Sequence, residues 1–538
     1  MNEIDALNTQ LSELKTIRRY YEGVWDEIEN ELFPYRWGGW HRKENKGARA
    51  GEDIYDSYPL QMANIATDGI QGHMVSSSFR WMHPHIPNVS ADPQTRRWLQ
   101  DLEDQFYFEF EQSNIYEAIN EYIQDGLVIG TAHLYGQEAS DGERITFRVM
   151  HPREMWIAEN FEGIVDTHFR EFYLTVKKAV EQFGFYHESV KQMYDHNQLH
   201  KEIHFIHAVY PRGLKGSSPD TRPFASEYVD LDNNVIARRG GYTTNPYATW
   251  RYRKLSHESY GRGPAWDAIR DIKLLNRFGK TALQAGQRHA DPPLMLPSEM
   301  KNKYDRRAGA VNYYEDPNRL PFQVNERSNY PIQQEMINEK RQVIRQAFSV
   351  DFFLMLQNQT REMTATETIE RQNEKVAILG AAIGRFQTEA LRPIIDMVYD
   401  ISYNAGRMPE PPDIVKERYG GKPISIDYTG PLAQAQKRLR MQGTQAALQA
   451  ALPYAQFDPT MIDRFNFDAV AKDMAESYGM RADAIRTDAE VRQIREQRAQ
   501  QQQQQAEMEQ QESMARAGRD GAQAMSMASQ GAQVMQGR

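Results

Sequence analysis

Apolar residues recur every three or four positions in several long segments near the N-terminus, which is the spacing of one face of an α-helix. Residues 8–33 are the clearest case and predict an amphipathic helix that ends before Pro34. The same period predicts helices at residues 57–75, 93–111 and 114–124. The segment between the second and third of these helices is rich in aromatic residues and proline and is predicted to be a loop.

After these helices the pattern changes to alternation of apolar and polar residues, which is typical of half-buried strands. The predicted strands comprise residues 127–136, 145–150, 163–173, 203–209, 235–237 and 248–252. Helices and strands together predict a mixed α+β domain over residues 1–260. One late strand, residues 422–428, is expected to return to the sheet of that domain.

The helical period returns after the turn signal of residues 261–264. It predicts a helix over residues 265–290, which stops at Asp291-Pro292-Pro293 because proline lacks an amide donor. A second helix is predicted from residue 331 to 348, so that two helices enclose a compact insert. The apolar stripe of the first helix includes Ile269, Ile272, Leu275 and Phe278 and is expected to pack between neighbouring copies of the chain.

The insert between the two helices, residues 294–329, combines basic and aromatic side chains. Two interpretations stay open: a small solvated subdomain, or a docking surface, since arginine and aromatic residues anchor protein interfaces. The candidate docking residues are Lys301, Lys303, Tyr304, Arg306, Arg307, Tyr313 and Tyr314.

The helical period breaks between Phe348 and Thr364. The apolar residues 352–356 are expected to be core between helices. The polar residues that follow form a candidate loop, made of Gln357, Asn358, Gln359, Thr360 and Arg361. A long helix is predicted over residues 366–405, because Thr364 and Glu367 have the spacing of a capping box.

The C-terminal part of the chain changes composition. Residues 432–478 predict alanine-rich helices, and a run of six glutamines follows at residues 500–505. Two interpretations of the last fifty residues stay open. The first is a disordered tail, because the apolar content of these residues is too low to offset the loss of chain entropy on folding. The second is a helix over residues 489–514 that is stable when it is bundled with copies of itself.

Composition narrows the class of protein. A chain of 538 residues with 40% hydrophobic residues predicts two to four folded units. The net charge of −10 argues against a large basic surface that grips nucleic acid, but it allows a wall along which a polyanion slides. No run of eighteen apolar residues occurs, no secretory signal is expected, and the absence of cysteine excludes disulfides and thiolate zinc sites.

Motifs that suggest chemistry are weak. A phosphate loop around Gly279-Lys280-Thr281 would need a glycine at position 274, where the chain has leucine, and a preceding strand. His196, His200 and His204 have helical spacing for zinc, but the strand predicted at residues 203–209 would break that face.

Acidic residues likewise form no isolated catalytic pair. Asp267 and Asp271 alternate with Arg270 and Lys273 and are explained as surface ion pairs. No nucleophile elbow is present. The sequence therefore predicts a protein without a catalytic site, a metal site or a cofactor.

Six segments, in the same order and with similar gaps, resemble the portal proteins, or head-to-tail connectors, of short-tailed bacteriophages. The similarity extends over about residues 16–452. The matching segments read SNIYEAINEYIQDGLVIGTAHL, GRGPAWDAIRDIKLLN, DPPLMLP, FFLML, MTATETIERQ and LGAAIGRFQTEALRPIID.

The resemblance implies an α+β portal-protein fold that assembles as a homo-oligomeric ring, of twelve copies, around a DNA channel. It implies the following regions: a wing (1–260), a first stem helix (261–290), a clip (291–329), a second stem helix (330–348), a tunnel loop (349–365), a long wing helix with a returning strand (366–435), crown helices (436–490) and a glutamine-rich tail (491–538).

The resemblance also implies a function and partners. The ring would occupy one capsid vertex of the virion, after assembly in the host cytoplasm, and double-stranded DNA would be packaged and ejected through it without sequence recognition. The clip would dock the terminase packaging motor and then tail adaptor proteins, and the major capsid and scaffolding proteins would surround the ring. No membrane partner is expected. The alternatives are another virion structural protein, such as a tail adaptor, or a DNA-acting enzyme.

Overall fold

Antiparallel strands and the helices packed on them make up most of the N-terminal region in the computed structural model. The residues that it describes are 3–37, 51, 53–86, 93–213, 222–290, 294–295, 316, 322–323, 330–357, 380–419, 424–430, 444, 447–451, 453, 464–477, 486, 490–506, 508 and 514. They belong to two compact units, one within residues 1–84, 101–410 and 426–439 and the other within residues 85–100, 411–425 and 440–538.

The helices follow the apolar periodicity of the sequence closely. Their bounds are α1 Glu3–Leu32, α2 Pro34–Trp37, α3 Tyr58–Met74, α4 Pro93–Gln112, α5 Ile115–Val128, α6 Val176–Phe183, α7 Glu188–Asp195, α8 Pro264–Ala290, α9 Tyr330–Ala347, α10 Val350–Gln357, α11 Arg392–Asn404, α12 Asp413–Tyr419 and α13 Phe467–Ser477. A π-helical turn, Phe386–Leu391, leads directly into α11. Leu127 and Val128, predicted to begin a strand, instead end α5.

Among the described residues the strands form four sheets. Their bounds are β1 Met82–His85, β2 Thr131–Glu138, β3 Ile145–Met150, β4 Met155–Glu159, β5 Val165–Thr175, β6 Glu202–Pro211, β7 Phe224–Asp230, β8 Val235–Tyr242, β9 Tyr247–Arg251, β10 Leu294–Met295, β11 Phe322–Gln323 and β12 Ser425–Tyr428. The order is β3-β2-β9 in one sheet and β4-β5-β6-β7-β8 in the largest sheet. This arrangement confirms the α+β class.

The late strand β12 pairs with β1, and not with either of the larger sheets as expected. β1 lies in the segment that the sequence predicted to be a loop. Thr429 extends the contact, since its amide donates to the carbonyl of Trp81 (2.8 Å) and its hydroxyl to the carbonyl of Arg80 (3.0 Å). The chain therefore does return to the N-terminal region, but to a separate two-stranded sheet.

Helix α1 covers the largest sheet with its apolar stripe. Trp156 on β4 and Phe169 on β5 are buried beneath it. Arg18 crosses this contact, because its guanidinium lies 3.8 Å from the centre of the Trp156 ring and donates to the carbonyls of Arg153 (2.8 Å) and Met155 (2.9 Å). The stripe consists of Ile4, Leu7, Leu11 and Leu14.

Three histidines are buried where the strands of the two larger sheets meet: His133 on β2, His168 on β5 and His207 on β6. The hydroxyl of Thr249 lies 2.9 Å from Nδ1 of His133 and 2.8 Å from Nε2 of His168. Nδ1 of His207 lies 2.8 Å from the hydroxyl of Tyr247. The three rings are thus held by hydroxyl groups of β9.

In the second unit, the helical residues 490–506 contact α13 through one ion pair. Arg495 donates to both carboxylate oxygens of Asp468, at 2.6 and 2.8 Å. The helical conformation agrees with the second of the two interpretations of the C-terminal segment. Association of this helix with copies of itself stays a prediction.

Candidate functional site: the helix pair α8 and α9

Helices α8 and α9 pack side by side in opposite directions, and they flank the insert that was predicted to be a docking region. Nζ of Lys340 on α9 lies 3.1 Å from the carboxylate of Asp271 on α8. Near the other end of the pair, Phe348 of α9 and Leu127 line the same cavity. The carbonyl of Leu127 also lies against Gly263, which directly precedes α8. These contacts fix which residues of α8 and α9 lie at the same height.

The predicted apolar stripe of α8 faces the interior of the single chain. Ile269, Ile272 and Leu275 are buried, with Ile272 and Leu275 exposing 1% and 0% of their surface, and Phe278 is half-buried. Contacts between copies of the chain, if made by α8, therefore use other side chains of this helix. An aspartate at Ile272 would leave an unpaired charge inside the protomer itself.

Asn276 fastens α8 to the segment before α3 and to α1. Its carboxamide oxygen accepts from the amide of Tyr55 (2.7 Å), and its Nδ2 donates to the carbonyl of Asp53 (2.9 Å) and to Glu31 (3.1 Å). Burial raises the pKa of the Glu31 carboxyl, and the hydrogen bond from Asn276 opposes this change. The sequence analysis missed Asn276; the signal was a polar residue beside Ile272 and Leu275 on the buried stripe.

Two further ion pairs hold the helix pair to α1 and to the segment before α3. Lys273 lies 3.1 Å from Glu27 of α1, and Arg341 lies 3.0 Å from Asp56. Each pair joins residues far apart in the chain. The helix pair is thus fixed to the rest of the first unit by polar contacts around its apolar face.

The motifs judged weak in the sequence have structural roles. Gly279-Lys280-Thr281 lies within α8, with Gly279 against Tyr55, so the strand-loop-helix geometry of a phosphate loop is absent there. His196 follows the end of α7 whereas His204 lies on β6, so they do not share a helix face. Among the described residues no group of three or more histidine or acidic side chains is placed to hold a metal ion.

Asp267 and Asp271 form ion pairs as predicted, but with partners outside α8. Asp267 pairs with Arg253 at 2.9 Å, and Asp271 pairs with Lys340. Arg270 and Lys273 are therefore not their partners in the described structure. No helix of the described residues is long and apolar enough to cross a membrane.

A tight junction joins α9 to α10. Ser349, between the two helices, has a positive φ of 53°, in the left-handed region of backbone conformation. Phe352 and Phe353 are buried, so the prediction that this apolar segment contributes core residues is confirmed for both of them. Phe353 packs directly on Gly69 of α3, where a Cβ would come within 2.4 Å of its ring. Any larger side chain at position 69 would displace Phe353.

A small apolar cavity of about 20 Å³ lies at this junction. It separates Phe348 and Phe353 from Ile383 and Phe386, which belong to the helical segment entering α11. Its wall also contains Ile70, Met74, Leu127, Trp250, Tyr252, Ser349 and Ala382. Residues on both sides of the segment 358–379 therefore line one apolar site.

The π-helical turn after this cavity carries Glu389, which pairs with the buried Arg251 of β9 at 2.7 Å. Glu159 of β4 binds the same guanidinium from another side and also contacts Lys254 (2.5 Å). Burial alone would lower the pKa of Arg251, but hydrogen bonds and charges of Glu389 and Glu159 raise it above its ordinary value. Arg251 thus joins both larger sheets to the helix that follows residue 380, a role that the sequence analysis missed.

The remaining candidate residues lie outside the described part of the chain. This holds for the whole docking cluster Lys301, Lys303, Tyr304, Arg306, Arg307, Tyr313 and Tyr314 and for Asn358, Gln359, Thr360 and Arg361; Gln357 ends α10. Of the insert itself, β10 pairs with β11, with Leu294 opposite Gln323. The roles of these residues stay predictions.

Comparisons with known proteins agree with the resemblance seen in the sequence. The chain is 27% identical over 499 residues to a probable portal protein of Bordetella phage BPP-1, covering 90% of this chain and 89% of the relative. It is 26% identical over 510 residues to a portal protein of Salmonella phage epsilon15, covering 91% and 90%. The profile of the family described as bacteriophage head to tail connecting protein matches residues 4–485. Because this match spans most of the chain, the chain belongs to the bacteriophage head-to-tail connecting protein family.

Proposed function

We propose that this chain is the portal subunit of its virion and that its copies form a closed ring, of twelve subunits, at one capsid vertex. Double-stranded DNA would enter and leave through the centre of the ring. The observation that carries the proposal is the family match over residues 4–485, together with relatives that are named portal proteins.

The helix pair supports a specific assignment within this ring. We assign α8 and α9 to the stem, because they are two packed helices that enclose the insert at one end and meet the core at the other. The insert, residues 291–329, would be the clip, where the terminase motor and later the tail proteins dock. Residues 349–365 would contain the tunnel loop, and residues 436–490 the crown.

Weak contact with DNA is consistent with the charge of the chain. A ring whose subunits each carry a net charge of −10 would not retain a polyanion by its overall charge. Polar side chains such as those of residues 357–361 would offer sequence-independent contacts to phosphates. The energy for packaging would come from a separate motor.

Electron microscopy of the purified chain in negative stain tests the proposal directly. We expect rings with a central hole in face views and a stalk in side views, and a mass by light scattering that corresponds to twelve copies. A chain that stays monomeric at all concentrations, or that forms assemblies without a central hole, would refute the ring. A metal-dependent nuclease assay and an ATPase assay on the same sample address the enzymatic alternative, and we expect both to be negative.

A further inference from the structure

Hydrogen bonds between neutral side chains join the three-stranded sheet, β3-β2-β9, to the five-stranded sheet. The hydroxyl of Thr249 on β9 lies between His133 of its own sheet, 2.9 Å from Nδ1, and His168 of the other sheet, 2.8 Å from Nε2. His207 of the five-stranded sheet lies 2.8 Å from the hydroxyl of Tyr247 on β9. All three imidazoles are at most 1% exposed. The contact between the sheets thus depends on buried histidines.

Asn245 fixes the direction of the hydrogen bonds around His168. Its Oδ1 accepts from the first amide of β9 (3.0 Å), and its Nδ2 donates to the carbonyl of Asp166 (3.2 Å) and to Nδ1 of His168 (3.2 Å). Nδ1 of His168 is therefore an acceptor, and the proton of the neutral ring lies on Nε2, which donates to the hydroxyl of Thr249. A second proton on His168 would have to enter Nδ1, where it meets the N–H of Asn245.

The charged groups that face His207 are mainly cationic. His207 lies in register with Arg170 on β5. Its stacked neighbour Tyr228, at 3.9 Å between ring centres, lies in register with Arg238 on β8. Arg170 already binds Glu154 at 3.0 Å. Burial lowers the pKa of His207 most, and the positive charges of Arg170 and Arg238 lower it further.

His133 has similar surroundings. Burial lowers its pKa most, and the imidazole across the shared hydroxyl, Arg18 of α1 and His151 lower it further. Arg18 pairs with Glu22 at 2.7 Å, and His151 lies 2.7 Å from Glu29. Among the described residues, none of the three buried imidazoles has a carboxylate as a hydrogen-bond partner. A proton that enters this contact therefore brings a buried charge without a counter-ion.

A second connection between the two sheets contains no imidazole. Arg251 of β9 pairs with Glu159 of β4, and Lys254 contacts the same carboxylate at 2.5 Å. Arg251 ends β9, whereas Tyr247 begins it, so the two connections lie at opposite ends of this strand. Loss of the histidine contact therefore leaves the other end of β9 attached.

We propose that the three histidines form an acid-sensitive joint: protonation separates the two sheets at the start of β9, while each sheet keeps its own strand pairing and the pair of Arg251 and Glu159 serves as the hinge. Separation lets each charged imidazole reach water, which removes the cost of a buried unpaired charge. The backbone hydrogen bonds within each sheet do not involve the imidazoles. The joint belongs to the single chain, so it does not depend on the formation of a ring.

Reactivity of single cysteines tests the joint, because the chain has no cysteine of its own. Val209→Cys places a thiol between the two sheets, where Val209 packs in a cluster with Tyr135 and Tyr247. Ala208→Cys is the matched control, since Ala208 is the adjacent residue of β6 and is buried on the opposite face, beneath α1. Rates of maleimide labelling are divided by the rate of the exposed variant Arg144→Cys at the same pH, which corrects for the ionisation of the thiol.

Between pH 7 and pH 5 the corrected rate at position 209 should rise about tenfold or more, and the rate at position 208 should not change. Asn245→Asp, added to Val209→Cys, should suppress this rise, because its carboxylate can accept the second proton of His168 and balance the charge. The exposed His200→Gln should leave the rise as it is. Circular dichroism at both pH values establishes that each variant is folded, and His207→Gln, which should reduce the rise, replaces Asn245→Asp if that variant does not fold.

Three results would overturn the joint. They are an unchanged rate at position 209, an equal rise at positions 208 and 209, which indicates unfolding of the whole sheet region, and a rise that neither Asn245→Asp nor His207→Gln reduces. Wild-type chain that forms no rings would refute the proposed function and would leave the joint intact. The two inferences can therefore fail separately.

Discussion

Acid should destabilise this protein through histidines that are buried in their neutral form, and His168 allows the effect to be calculated. It is fully buried, and burial lowers its pKa to about 3. Nδ2 of Asn245 donates to its Nδ1 at 3.2 Å and to the carbonyl of Asp166, so a proton on Nδ1 would face a donor. Burial also lowers the pKa of His133 and His207.

The direction of this pH effect follows from the difference in the pKa of His168 between the folded and unfolded states. The unfolded chain binds a proton on this ring with a pKa near 6.5, above the folded value, so it gains protons first as the pH falls. Stability from His168 is therefore complete above about pH 6.5 and is lost between that value and about pH 3. At pH 5 the loss in free energy of unfolding from this one group is about 2 kcal/mol.

Urea unfolding followed by tryptophan fluorescence at pH 7 and pH 5 measures this loss. His168→Gln should be less stable than the wild type at pH 7 but should lose about 2 kcal/mol less on acidification. Comparing variant with wild type cancels the other titrating groups. Glu171, whose pKa is lowered to about 2, loses its contribution only below its ordinary pKa of 4.5, outside this range. His200→Gln changes an exposed histidine and is the control. Equal pH dependence of wild type and His168→Gln would refute the reasoning.

Three further changes test the contacts around the stem and the segment after it. Asn276→Ala should lower the free energy of unfolding by about 1–2 kcal/mol, because the amide of Tyr55 and the carbonyl of Asp53 lose their partner, whereas the exposed Gln284→Ala should change it little. Arg251→Met should lower the free energy of unfolding by about 2–3 kcal/mol, because the partly buried carboxylates of Glu159 and Glu389 lose the guanidinium that they share and keep only Lys254 and Arg385 as partners, and adding Glu389→Gln should recover part of this loss; a single variant as stable as the wild type would contradict the role of this ion pair. Deletion of residues 357–360 should leave rings and DNA filling intact but cause leakage of DNA from filled heads, measured as DNA accessible to nuclease; a variant that fails to fold would show that these residues are core.

Local pattern determined much of the fold of this chain. The apolar stripe and the flanking prolines predicted α8 at residues 265–290, and the helix is Pro264–Ala290. Alternation predicted β3 with its observed bounds, Ile145–Met150. These elements have one buried face and an interruption at each end, so the period and the bounds are both visible in the sequence. The order of six motifs likewise indicated the family.

Strands that depart from this pattern were missed. β7 is buried along most of its length and includes the polar residues Ser226, Glu227 and Asp230, so it has no alternation to detect. β4 has five residues and is too short for a clear period. The apolar run before β2 was assigned to a strand, but α5 continues to Val128. A run of apolar residues that are buried on all sides has the same sequence pattern in a helix and in a strand.

Pairings between distant residues were decided by the tertiary structure alone. Arg251 meets Glu389 across 138 positions of the chain, and Asn276 meets Tyr55 across 221. β12 pairs with a strand in a segment that lacked any strand signal. The physical reason is that the spacing of apolar residues shows which face of an element is buried, and prolines and glycines show where the element ends. The partner on the buried face depends instead on how all elements pack together.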